Sequence, residues 1–106
     1  MINKTNRTMG KYIEAGAQMR LFKTLGAKVF VNVGNLTDSA DREKLKRALD
    51  MIDDICANAE DNMFRDHPNL SHEYTSVFYG ATNMPARDDV DKYVIMIAGE
   101  VADALF

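Results

Sequence analysis

One cysteine and two prolines are all that this 106-residue chain offers of the residue types that staple or break a fold. With Cys56 alone, an intrachain disulfide framework is excluded, and a reducing, cytoplasmic setting is the expectation. Pro68 and Pro85 read as punctuation between helices. There is no Pro/Gly/Ser linker, internal repeat or low-complexity tract, so residues 1–106 read as one domain. Long apolar runs are also missing. The longest nearly uncharged stretch, Leu25 to Leu36, is interrupted by Lys28 and is too short to span a bilayer, so no membrane partner is expected. The opening Met-Ile-Asn-Lys-Thr-Asn-Arg is followed by no apolar run and predicts no signal peptide. The catalytic strings are absent too. No glycine-rich phosphate loop, Cys-x-x-Cys, His-Glu-x-x-His or Gly-x-Ser-x-Gly occurs, so no cofactor and no metal are predicted.

What is present is an uneven distribution of charge. Residues 1–36 carry Lys4, Arg7, Lys11, Arg20, Lys23 and Lys28 against Glu14 alone, a net +5, while residues 37–106 carry a net −8. Such a split calls for an acidic partner outside the chain or for internal pairing of the two parts. An apolar fraction of 46% with 27% charged residues belongs to a folded chain rather than a disordered one.

Apolar spacing predicts an all-α, up-and-down bundle of about four helices. The clearest helix covers Ser39 to Phe64, where Leu45, Leu49, Ile52, Cys56, Ala59 and Met63 repeat at intervals of four and three. Asp38 or Ser39 can cap it, and Asp41 suits the positive end of its dipole. A final helix follows Pro85, with Asp88, Asp89 and Asp91 in its first turn. The short apolar run from Tyr93 to Ile97 also suits a strand, but the seam of Val90, Val94, Ile97, Val101 and Ala104 favours the helix. A long first helix fits Thr5 to Val33, although the alternating Val29, Val31 and Val33 also suit a strand. Helix is preferred there because a lone strand would lack a partner, with Gly34 as a left-handed cap. A two-turn helix, His72 to Tyr79, is expected between the prolines, capped by Ser71 and stopped by Gly80.

Cys56 lies on an apolar seam flanked by Asp53, Asp54 and Glu60. It reads as a buried small hydrophobe, since a reactive thiol needs an electropositive setting. His67 and His72 flank Pro68 in a loop and are not spaced to share a helical face, so they read as solvated rather than metal-binding. The string Arg65-Asp66-His67-Pro68-Asn69-Leu70-Ser71-His72-Glu73-Tyr74 resembles the Arg-x4–6-His motif of HEPN domains, which are small helical bundles, often dimeric, many of which cleave RNA. The resemblance covers about ten residues, and Pro68 interrupts it. It implies that Arg65 stabilises phosphate charge, that His72 handles protons and that Tyr74 matches the family's tyrosine after the histidine.

Two further surfaces stand out. Lys4, Arg7 and Lys11 align on one face of a helix and form a weak candidate for anion or nucleic-acid binding. Elsewhere the charges read as borders: Lys11 and Lys23 flank the first seam, while Asp53, Glu60, Asp91 and Glu100 flank the others, which sets helix pairing more than stability. Val29, Phe30, Val31 and Val33 exceed what one seam requires, and the first helix outreaches the last. A homodimer burying this interaction region is therefore expected. The expected function is that of a small non-enzymatic binding, adaptor or regulatory protein acting on a protein partner through helix faces. A HEPN-like RNA-cleaving or nucleic-acid-binding bundle is the alternative.

Overall fold

The structure is a computed structural model that describes residues 2–80 and 85–105. Every regular element among them is helical: α1 (Met9–Gly34), α2 (Ser39–Asp66) and α3 (Asp89–Leu105), with short 3₁₀ turns at Lys4–Asn6 and His72–Ser76. Among the described residues the bundle therefore has three α-helices rather than the expected four.

Local chemistry explains the boundaries. The Thr8 hydroxyl accepts from the Lys11 amide (3.3 Å), which starts α1 at Met9 instead of Thr5; Asn3 caps the separate 3₁₀ turn before it. Val29 to Val33 are helical, as no strand is present among the described residues to pair with them. Gly34 ends α1 without a left-handed conformation, and the only described residue with positive φ is Gly80. The last carbonyls of α1 are instead taken by the Thr37 hydroxyl, which donates to Val33 (3.0 Å), and by Arg42 Nε, which donates to Gly34 (3.2 Å). Asp38 then caps α2 by accepting from the Asp41 amide (2.9 Å), as its short carboxylate predicts. Asp88 does the same for α3 through the Asp91 amide (2.7 Å).

The expected helix His72–Tyr79 reduces to a five-residue 3₁₀ turn. Ser71 makes no side-chain cap there. From its last residue onward, carbonyls that a helix would direct along its own axis accept from cations elsewhere in the chain. Arg20 donates to Ser76, Lys23 Nζ to Phe78 (3.0 Å) and Arg87 Nη2 to Tyr79 (2.8 Å). Tertiary hydrogen bonds have replaced helical ones.

Helix α1 is central. It packs against both α2 and α3, which scarcely touch each other. The segment through Val77 and Phe78 covers one side of α1, and the buried core gathers there around Ala17, Cys56, Met63, Val77, Phe78 and Val94. Cys56 is fully buried, as its seam position predicts. Gly16 makes this covering possible. A Cβ at that position would collide with the Val77 carbonyl and lie 2.6 Å from Val77 Cγ1. The helices thus form one layer, closed on the back by residues 71–80, within a body of 47 × 26 × 24 Å.

Substituting Gly16→Ala should lower the unfolding free energy by about 1–3 kcal/mol through overpacking. By contrast, Gly99→Ala meets nothing within 4 Å and should raise it by about 0.4–1 kcal/mol. Urea titration followed by circular dichroism distinguishes the two.

Candidate functional site

Three constellations emerge once the helices are placed. The deepest is built on Arg20, the largest fully buried side chain. Its position near the middle of α1, between Ala17 and Lys23, turns it towards α3 and the back segment. There Nη1 lies 2.6 Å from Asp91 Oδ1, and Nη2 donates to the Ser76 carbonyl. The ion pair is close, but the Nη1 hydrogen is not aimed for a hydrogen bond. Asp91 is further held by the Arg87 amide (2.8 Å) and by Arg87 Nε (3.4 Å). Burial pushes the Arg20 guanidinium down while Asp91 opposes the shift. For Asp91, burial pushes upward but is outweighed by Arg87 and Arg20, so the carboxyl sits below its usual range. With two arginines on one carboxylate, Asp91 is an acceptor already occupied rather than a proton-transfer group.

A second cluster ties the N-terminus to the end of α2. Asp66 Oδ2 accepts from Arg7 Nε (2.5 Å) and from the Tyr12 hydroxyl (2.5 Å), and Oδ1 accepts from Arg7 Nη2 (3.0 Å). This fork-on-fork geometry is the strong form of the arginine–carboxylate pair. The hydrogen bonds from Arg7, then from Tyr12, hold the Asp66 carboxyl well below the ordinary range. His67 completes the cluster. Its Nε2 lies 2.8 Å from the Arg7 carbonyl, to which an Nε2–H donates, and its ring meets Tyr12 edge-on at 5.9 Å.

The sequence singled out the neighbours of this cluster. Arg65 is exposed and donates to Asn62 (3.0 Å), His72 is exposed at the start of its 3₁₀ turn, and Tyr74 is half-buried. Among the described residues no hydrogen bond joins Arg65 to His72 or to Tyr74. Lys4 and Lys11 are exposed, but they do not share one helix, and Arg7 between them is committed to Asp66. Of the expected border pairs, Lys23 meets Asp53 at 3.8 Å and also lies over the Tyr79 ring. Asp91 meets Arg20, whose burial no spacing rule signalled. No group of three His, Cys, Asp or Glu side chains converges on a metal-sized site among the described residues. Likewise, no described helix is long and apolar enough to cross a membrane.

The third constellation is apolar and lies on the front of α1, away from the back segment. Phe22 and Leu25 are 55% and 56% exposed and form a ridge between two grooves. On the α2 side, Val29, Ala48 and Ile52 line a groove of about 190 Å³. On the α3 side, Leu21, Lys28, Val101 and Leu105 line one of about 430 Å³. Met51 and Ile55 add more exposed apolar area on α2. In the expected interaction region, Val29 and Phe30 are half-buried while Val31 and Val33 are exposed. Only Val29 of these lines a groove of the front surface, which is centred on Phe22 and Leu25 and not on the expected region.

No protein-family model, curated protein or solved structure matches this chain. Within the fold, Asp66 and Asp91 are paired with arginines while Arg20 Nε and Nη1 are buried without a hydrogen-bond partner, and the apolar front is open.

Two outcomes follow for the charged clusters. Removing the shared carboxylate with Asp91→Ala leaves buried Arg20 without its counter-ion and should cost about 3–5 kcal/mol. The exposed Arg65→Ala should cost no more than about 0.5 kcal/mol in the same urea titration. Asp66 has a folded-state pKa below its unfolded value of about 3.9, so its stabilisation is complete above that value and is lost as pH falls further. Asp66→Asn should therefore unfold more easily than wild type at neutral pH. The gap should stay constant down to about pH 5 and narrow below about pH 4, as read from thermal midpoints across the acid range.

Proposed function

We propose that this chain is a small, non-enzymatic helical binding or adaptor protein whose working surface is the apolar front of the three-helix layer. The observation that carries this reading is the exposure of Phe22 and Leu25 between two apolar grooves. Large apolar patches of this kind on a folded chain mark contact sites for other molecules. Grooves beside a helical ridge suit an amphipathic helix, which lays its apolar stripe along them. The charged residues support the same reading. Asp91 and Asp66 are neutralised within the fold by Arg20 and Arg87 and by Arg7, so these ion pairs brace the layer that presents the surface. A cytoplasmic setting fits the single buried thiol.

A photoreactive phenylalanine analogue in place of Phe22 tests the reading in the source cells. Crosslinks to protein from position 22, and few from the exposed polar position Glu43 on α2, are the expected outcome. Equal labelling from both positions, or adducts to nucleic acid alone, would remove it.

A further inference from the structure

The front face carries a charge pattern that indicates what covers it. Glu14, Gln18, Leu21, Leu25 and Lys28 are spaced 4, 3, 4, 3 along α1, which places them on one stripe of the helix. Lys28 lines the α3-side groove described above, and Glu14 lines a second groove between α1 and α3, nearer the start of α1, that shares Val101 with it. Each stands seven residues from Leu21. Both are exposed, and neither forms an ion pair among the described residues. A stripe with an apolar centre, an unpaired acid at one end and an unpaired base at the other is complementary to itself when turned end over end.

The exposed area agrees with a missing second layer. The chain exposes 7237 Å², whereas a compact monomer of 11.9 kDa exposes about 6,000 Å². The excess, about 1,200 Å², exceeds the roughly 800 Å² that each partner contributes to a standard interface. A single layer of helices with one side uncovered also lacks the second layer that domains use to close a core.

We propose that a second copy of this chain covers the front face. Its α1 runs antiparallel to the first across a two-fold axis at Leu21, so that Glu14 of each copy pairs with Lys28 of the other. The proposal rests on the reading of the front as a binding surface and names its occupant. Glu100 lines the same groove as Glu14, so the incoming lysine meets two carboxylates. A parallel arrangement would instead set Glu14 beside Glu14 and Lys28 beside Lys28, which disfavours it. The two-fold axis generates each contact twice, so one substitution changes two pairs.

Sedimentation equilibrium on the full chain provides the test. Wild type should be dimeric at micromolar concentration. Glu14→Lys and Lys28→Glu, both at exposed positions, should each weaken the dimer by roughly tenfold or more at low salt, because two attractions become two repulsions. The double variant, with the charges exchanged, should bind several-fold tighter than either single reversal yet short of wild type, because the incoming glutamate then faces Glu100 as well as the new lysine. Phe22→Asp should give a monomer with unchanged helical circular dichroism; should that variant unfold, the charge exchange still decides. A wild-type monomer at the highest soluble concentration overturns the proposal, as does a dimer indifferent to the reversals or one the exchange fails to tighten relative to them. Crosslinking from position 22 to a different protein, with a monomeric wild type, removes self-pairing and leaves the binding reading standing.

Discussion

The Arg20–Asp91 ion pair is the contact on which the other parts of this structure depend. Arg20 comes from the middle of α1 and Asp91 from the first turn of α3, and the pair sits where the back segment crosses between them. A buried guanidinium is costly without a counter-charge and hydrogen-bond acceptors. Here those acceptors include the Ser76 carbonyl, so satisfying the cation also directs the backbone of the segment that closes the back of the layer. The same demand explains why that segment is not the helix its composition favours. Its carbonyls face Arg20, Lys23 and Arg87 instead of their own downstream amides.

The Arg7–Asp66–Tyr12–His67 cluster acts at the other boundary of the core. It joins the chain before α1 to the end of α2 and holds the N-terminal segment against the fold. One consequence is that the basic N-terminal third is not a free cationic stripe. Arg7 neutralises a carboxylate of the acidic part, and Arg20 and Lys23 do likewise with Asp91 and Asp53. Half of the cations of the basic third are thus paired internally, and Lys4, Lys11, Lys28 and Glu14 form no ion pair among the described residues.

Much of the helical framework was legible because its causes are local. Asp38 caps α2 as its position beside Asp41 implies, and the seam from Leu45 to Met63 faces α1 with Cys56 buried in it. The helical state of Val29 to Val33 was legible by elimination. The extent of α1 at its start was not, because Thr8 and Asn3 offered competing caps within a few residues. The site was less legible than the fold. The motif-like string points to Arg65 and His72, one residue before Asp66 and five after His67, whereas the cluster that forms uses Asp66 and His67. No local rule distinguishes the carboxylate that three donors will saturate from the arginine beside it that points to solvent.

The sequence by itself determined that the chain is helical, where α2 and α3 begin, and that α1 carries more apolar surface than one seam uses. Periodicity and capping act within a few residues, so they can be read without knowing the fold. Only the tertiary structure decided that α1 is central, that Arg20 is the buried charge and that the apolar surplus faces one open side. Each of these depends on which distant groups arrive at a given helix face. The burial of Arg20 requires Asp91 and the Ser76 carbonyl together, and the openness of Phe22 follows from the back segment packing on the opposite side of the same helix.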